Sequence, residues 1–309
     1  MNTHLITLDD LTAADVQSLF ELTATLKAKR RAGQFEPILA GKTLALVFEK
    51  PSLRTRVTFE AGMTQLGGHA IYLAPADIRL GERETVQDAA RNLERWVDGI
   101  VARTFSHAMV ERLATYSRIP VINGLTDLHH PVQILCDLFT LWERRTALRD
   151  FSILFVGDGN NVCHSWLQGA VKLGLRFTLA CPRGYEPDAT ILARAWDEAK
   201  GTGAVLAVTH DLPAALKGAN VLYTDVWTSM GQEEERTQRL RDFQGFQVNT
   251  ALLAQAKSDA VVMHCLPAHR GEEITDEVMD GPQSIVFEQA ENRLHMQKAI
   301  LVRLMNGKA

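Results

Sequence analysis

Cysteine is scarce in this 309-residue sequence: Cys136, Cys163, Cys181 and Cys265 are scattered, with no C-x-x-C spacing. That argues against a disulfide framework or a structural zinc site and predicts reduced thiols. Long apolar runs are missing as well. No stretch approaches the roughly 18 consecutive apolar residues of a membrane span, and the opening MNTHLITLDDL lacks the basic-then-apolar pattern of a secretory leader. The expectation is a cytoplasmic chain with no membrane partner. Nor does one sign of charge dominate: 33 Lys+Arg face 37 Asp+Glu, a formal net charge of −4. This removes the broad basic footprint of non-specific nucleic-acid binding and leaves room only for a focal anion pocket. Internal repeats and low-complexity tracts are absent too.

What is present is a globular composition, 46% hydrophobic, in a chain long enough to bury roughly 75% of its extended surface and to divide into two cores. Val16, Leu19, Phe20, Leu22 and Leu26 recur at helical spacing over 12–31 and stop at Gly33, where a left-handed cap is free of steric cost. Short β-branched or apolar runs follow at 43–48, 70–73, 99–103 and 120–122, separated by amphipathic stretches at 56–66, 85–97 and 108–116. A second series occupies 151–156, 177–180, 204–209, 221–225, 260–264 and 284–287. Strands separated by helices predict an α/β fold of two domains, each a parallel sheet flanked by helices. The join is the apolar helical stripe over 131–145, which places a boundary at 146–150; a final amphipathic helix over 291–305 can pack on either core. The polar run 232–241 reads as a solvated loop or helix face.

Ligands of open α/β sheets bind beyond the carboxyl ends of the strands, so the residues leaving each run are the informative ones. The first exits into Glu49-Lys50-Pro51-Ser52-Leu53-Arg54-Thr55-Arg56. Hydroxyls, helix N-terminal amides and two arginines suit phosphate oxygens, although a capping serine with two surface arginines explains the same stretch. The next exits deliver Arg103 and, through Asn123, His130 and Gln133. Donors converging on one edge can polarise a carbonyl oxygen, each worth about 2.7–4 kcal/mol in a transition state. Gly157-Asp158-Gly159-Asn160-Asn161 is a poor dinucleotide fingerprint: Val162 stands at the third glycine position and no carboxylate follows the next strand. Asp225 invites an ammonium-bearing ligand or caps its own turn. His264 and Cys265 are expected on opposite strand faces, unable to share a metal, and Cys163-His164 lacks further ligands nearby. Cys265 serves as a nucleophile only with a histidine base in reach. The sum favours a two-substrate transferase with its chemistry in an interdomain cleft.

Taken together, FEKPSLRTR, Arg103, HPVQ at 130–133, GDGNN, DVWTSMG at 225–231, HCLPAHRGEE at 264–273 and FEQAENRLHMQKAIL resemble the aspartate/ornithine carbamoyltransferase family, over about 5–305 in one order. DVWTSMG and HCLPAHRGEE point to its ornithine side. The resemblance implies transfer of a carbamoyl group from carbamoyl phosphate to the δ-amine of L-ornithine, giving L-citrulline and phosphate, in arginine biosynthesis. It implies no metal or organic cofactor and a homotrimer. Residues 1–147 would bind carbamoyl phosphate, 148–290 would bind ornithine, and the helix 291–309 would return to the first domain. Carbamoyl phosphate would meet Ser52, Leu53, Arg54, Thr55, Arg79, Arg103, His130, Gln133, Cys265, Leu266 and Arg293. Ornithine would meet Asn161, Asp225, Ser229 and Met230, and the catalytic roles would fall to Arg103, His130 and Cys265. Two positions depart from the family pattern. Leu53 replaces a small residue, leaving its backbone N–H in place, and Arg79 stands where a glutamine usually reaches carbamoyl phosphate from a neighbouring subunit. Competing readings are a sister transferase acting on an acylated ornithine or putrescine, a metabolite-binding protein that kept the fold, and a thiol hydrolase.

Overall fold

Thr12 adopts an extended backbone and its hydroxyl accepts the Asp15 N–H, while the Asp15 carboxylate accepts the Thr12 N–H at 3.0 Å. This reciprocal cap starts the helix Ala13–Arg31, and Gly33, at φ +69°, follows its end. The computed structural model describes residues 3–78, 80–145 and 147–306. Strands and helices then alternate as their residue patterns require. β1 (Thr43–Phe48), β2 (His69–Leu73), β3 (Gly99–Arg103) and β4 (Val121–Leu125) form one parallel sheet in the order β2-β1-β3-β4. β5 (Ser152–Val156), β6 (Arg176–Ala180), β7 (Val205–Thr209), β8 (Val221–Thr224) and β9 (Val261–His264) form a second, in the order β7-β6-β5-β8-β9.

Burial explains the composition of the strands. β3, β8 and β9 are buried throughout and read as apolar runs that close on Arg103, Thr224 and His264, as parallel strands covered on both faces do. The edge strands β2 and β7 are only half-buried. The chain divides into two compact units, Met1–Phe139 with Glu291–Ala309, and Thr140–Ala290. The first has a core of residues such as Ala45, Val47, Ile100, Val110 and Leu113; the second packs Leu154, Val156, Leu222, Val262 and Ile274. Each sheet reverses its strand order once, between β1 and β3 and between β5 and β8. At such a switch point the connections leave in opposite directions and open a crevice beyond the strand ends. The residues that exit these four strands are among those the sequence singles out, with the exits of β4 and β9 beside them.

One expected strand is absent. Ser284 makes an isolated bridge to Val262, and the helix Val286–Met305 begins two residues later. Four residues of mixed apolar character do not distinguish strand from helix, and the longer 3.6-residue periodicity captures the segment after a single bridge.

Candidate active site

In the first unit Ser52 is the N-cap of the helix Leu53–Gln65, its hydroxyl accepting the Thr55 N–H at 3.2 Å. The capping and anion-binding readings of this stretch are therefore compatible: the cap fixes a helix start whose first-turn amides face outward with a positive dipole end. Leu53 is 74% exposed, so its side chain adds nothing to packing there. Thr55 is buried and its hydroxyl accepts from Arg293 Nη2 at 2.7 Å. Arg293, from the C-terminal helix, also donates through Nη1 to Gln133 Oε1, and Gln133 Nε2 donates to Asp137 at 2.8 Å. A buried chain thus runs Asp137–Gln133–Arg293–Thr55.

Arg103 ends β3 at a register irregularity, Ala102 facing Asn123 but Arg103 facing Leu125, a local shift of the kind that re-aims a side chain. His130 is buried before the helix Pro131–Arg144. Burial, then the positive charges of Arg293, Arg103 and Arg54, hold its imidazole well below the ordinary range. It is neutral at physiological pH. Lys50, unassigned by sequence reasoning, is also buried: it pairs with Asp127 and lies 4.2 Å from the Phe105 ring centroid. A lysine in a polar loop looks solvated, and only its place inside FEKPSLRTR singles it out. Arg79 lies outside the described residues.

In the second unit Asn160 caps the helix Asn161–Leu173, its Oδ1 accepting the Val162 and Cys163 N–H groups. Its Nδ2 donates to Asp225 Oδ2 at 2.9 Å, so Asn160, a residue the sequence does not assign, orients the carboxylate. Asn161 is the half-buried first residue of the helix. Asp225 Oδ1 accepts the Val226 N–H and the Cys265 thiol, both at 2.9 Å. Gly159 serves packing: a Cβ there would lie 2.3 Å from Pro187 N, so the glycine-rich turn admits a neighbouring strand exit rather than a pyrophosphate. Ser229 and Met230 occupy a turn in which the Ser229 N–H donates to Gln232 Oε1 and Met230 is exposed.

Two expectations need correction. His264 and Cys265 do not diverge: ligand atoms of Asp225, His264 and Cys265 all lie within 4.8 Å of one another. β9 ends at His264, and Leu266, at φ +59° before a cis peptide bond to Pro267, ends the strand alternation. The trio is nevertheless ill suited to a metal. His264 Nδ1 accepts the Leu266 N–H at 2.8 Å, which leaves the proton on Nε2 to donate to the buried Glu273 at 3.0 Å, so both ring nitrogens are committed. The same commitment removes His264 as a base for Cys265, as a thiol hydrolase would need. Nor is the stretch 232–241 wholly solvated. Arg239 is buried and donates through Nη1 to Asp158 and to the Trp227 carbonyl, each at 2.8 Å. It ties the GDGNN turn to the start of the DVWTSMG segment.

A capped helix start beside a buried, neutral histidine on one parallel-sheet unit, and a carboxylate held by an amide and a thiol on the other, are parts that a two-unit α/β group transferase needs. The carbamoyl-P binding domain of aspartate/ornithine carbamoyltransferase matches residues 3–143 and its Asp/Orn binding domain residues 149–304. The ornithine carbamoyltransferase of Methanosarcina acetivorans is 51% identical over 99% of this chain and 100% of its own length; that of Chlorobaculum tepidum is 54% identical over 96% and 88%. Among solved structures, the Pyrococcus furiosus ornithine carbamoyltransferase superposes with a TM-score of 0.96 at 48% identity, covering 99% of this chain and 98% of that one. The anabolic enzyme of Campylobacter jejuni gives 0.93 at 38% identity, covering 99% of each. The chain belongs to the aspartate/ornithine carbamoyltransferase family and is a carbamoyltransferase.

Proposed function

We propose that this carbamoyltransferase moves the carbamoyl group of carbamoyl phosphate to the δ-amine of L-ornithine, giving L-citrulline and phosphate. The observation that carries the reading is the neutral His130 set among Arg54, Arg103 and Arg293. Residues 1–147 with the helix 291–309 hold carbamoyl phosphate: the Ser52–Thr55 helix start, Arg54 and Arg103 neutralise the phosphate. Gln133, locked by Arg293, and His130 address the carbamoyl end. Residues 148–290 hold ornithine, with Asp225 pairing the α-ammonium and Asn161, Ser229 and Met230 reading the amino-acid end.

The amine lone pair attacks the carbonyl carbon, and the neutral imidazole of His130 and the Arg103 guanidinium donate to the oxygen as it becomes an oxyanion. The carbon–oxygen bond to phosphate then breaks, phosphate departs toward Arg54 and Arg103, and the amine proton leaves with it. Positioning and fixed donors supply the acceleration. A neutral histidine suits this role, since it donates a hydrogen bond without adding a positive charge to those of Arg293, Arg103 and Arg54.

The test is citrulline formation by the purified protein with carbamoyl phosphate and L-ornithine, beside N-acetylornithine, putrescine and aspartate. Turnover with ornithine alone is expected, falling about 10²–10³-fold in Arg103→Ala; turnover with another amine moves the assignment to a sister transferase. The same reading includes arginine biosynthesis, the cytoplasm and a homotrimer, and a monomer mass in sedimentation equilibrium overturns the last. Among the described residues no helix is long and apolar enough to cross a membrane.

A further inference from the structure

The second unit carries a cavity of about 420 Å³ at the N-terminal ends of its strands, the edge opposite to the one that presents Asp225 and Cys265. Ser152 and Arg176 open β5 and β6 and are register partners; Lys217 and Lys257 lie in the turns that precede β8 and β9. With Arg149 these residues place four cations against one carboxylate, Asp150, on a chain whose net charge is −4. Several other cations of this unit meet acids: Arg145 with Asp259 at 2.6 Å, Arg194 with Glu198 at 2.7 Å, Arg270 with Asp280 at 2.6 Å. Among the described residues none of the four cavity cations forms an ion pair.

The cations themselves are exposed, and two contacts tie their segments to the unit. Arg149 Nε donates to the Leu173 carbonyl at 3.3 Å, beside Gly174, whose left-handed backbone (φ +67°) and the Thr202 carbonyl, 2.7 Å from where a Cβ would lie, favour glycine there. The Lys257 N–H donates to Ala219 O at 3.1 Å, which ties its loop to the 217–218 turn. Like charges gathered around one cavity repel one another, and an anion relieves that repulsion. Two guanidinium forks, two ammonium groups and a hydroxyl match phosphate oxygens, and the absence of an aromatic residue from the wall leaves charge as the feature that is read. We propose that this cavity binds a short phosphate chain, free or carried on a nucleoside.

Calorimetric titration with inorganic tripolyphosphate at about 0.15 M ionic strength tests it, in an Arg54→Ala chain so that the anion cradle of the first unit does not contribute. One site per chain is expected, weakened at least about tenfold when Arg176→Ala and Lys257→Ala are added. Those two substitutions in the otherwise unaltered chain should leave citrulline formation within about twofold, which shows that the protein is folded. Adenosine triphosphate titrated in parallel separates the sources: equal affinity assigns recognition to the phosphate chain and tighter binding to the nucleotide, and both support the site. No binding in the Arg54→Ala chain, or equal affinity with and without the cavity cations, overturns it.

Discussion

A histidine surrounded by three guanidinium groups stays neutral because protonation adds a fourth positive charge where water is excluded; the downward shift at His130 has burial as its first cause and the arginines as its second. The side chain therefore acts as a hydrogen-bond donor at constant charge. His130→Ala should lower kcat about 10²–10³-fold while leaving the pH profile between 6 and 8 unchanged in shape, measured as citrulline formation at saturating substrates; a profile that loses a limb with the histidine would show that it titrates in turnover. Residues of this kind were readable in the sequence because they leave strands at one edge: Arg103, His130 and Asp225 are each located by the alternation of runs. Burial of a polar side chain was not readable. Lys50 and Arg239 lie in stretches that look solvated, and each is buried by a partner distant in sequence, Asp127 for one and Asp158 for the other. Asn160 and Asn161 are adjacent amides, and only the helix start decides that the first turns toward Asp225.

At the scale of elements, the helices and most strands follow from periodicity and caps, and the failures occur where few residues carry the signal. The run 284–287 has room for one bridge before the helix takes over, and the strand alternation that should separate His264 from Cys265 ends at the last residue of β9. The turn after β5 shows how a connection sets a site. Gly159 allows the Glu186–Pro187 backbone to pass at a distance that excludes a side chain, and the Gly159 N–H donates to Tyr185 O at 2.8 Å. Gly159→Ala should cost about 1–3 kcal/mol as an overpacked contact, read as a lower urea midpoint. The displaced turn carries Asn160, so KM for ornithine should rise more than kcat falls. An unchanged KM would separate this turn from ornithine binding.

The whole molecule distributes its titrating groups unevenly, and the two units should answer acid differently. In the first unit His4, His107 and His130 are held below the ordinary imidazole value, chiefly by burial, and burial with the Lys27 charge brings His295 down to about 4. A base whose folded value is depressed binds fewer protons folded than unfolded, so its contribution to stability is lost as pH falls below about 6.5. His295 alone accounts for about 2 kcal/mol by pH 5 on that linkage. In the second unit burial raises the Asp158 carboxyl to about 6 against the opposing charge of Arg239. Its penalty is present at neutral pH and relaxes as pH falls from about 6 toward 3.8, a gain of about 1 kcal/mol by pH 5. Carboxylates held below their ordinary value, such as Asp259 and Asp280, add their losses only at more acid pH. Between pH 7 and pH 5 the first unit should weaken while the second holds or strengthens. Hydrogen exchange read by mass spectrometry at those two pH values, corrected for intrinsic rates, should show protection falling across residues 131–139 and the 291–305 turns of the C-terminal helix, with β5, β8 and β9 unchanged or slower. Equal loss in both units would mean that the histidines and Asp158 do not govern the acid response.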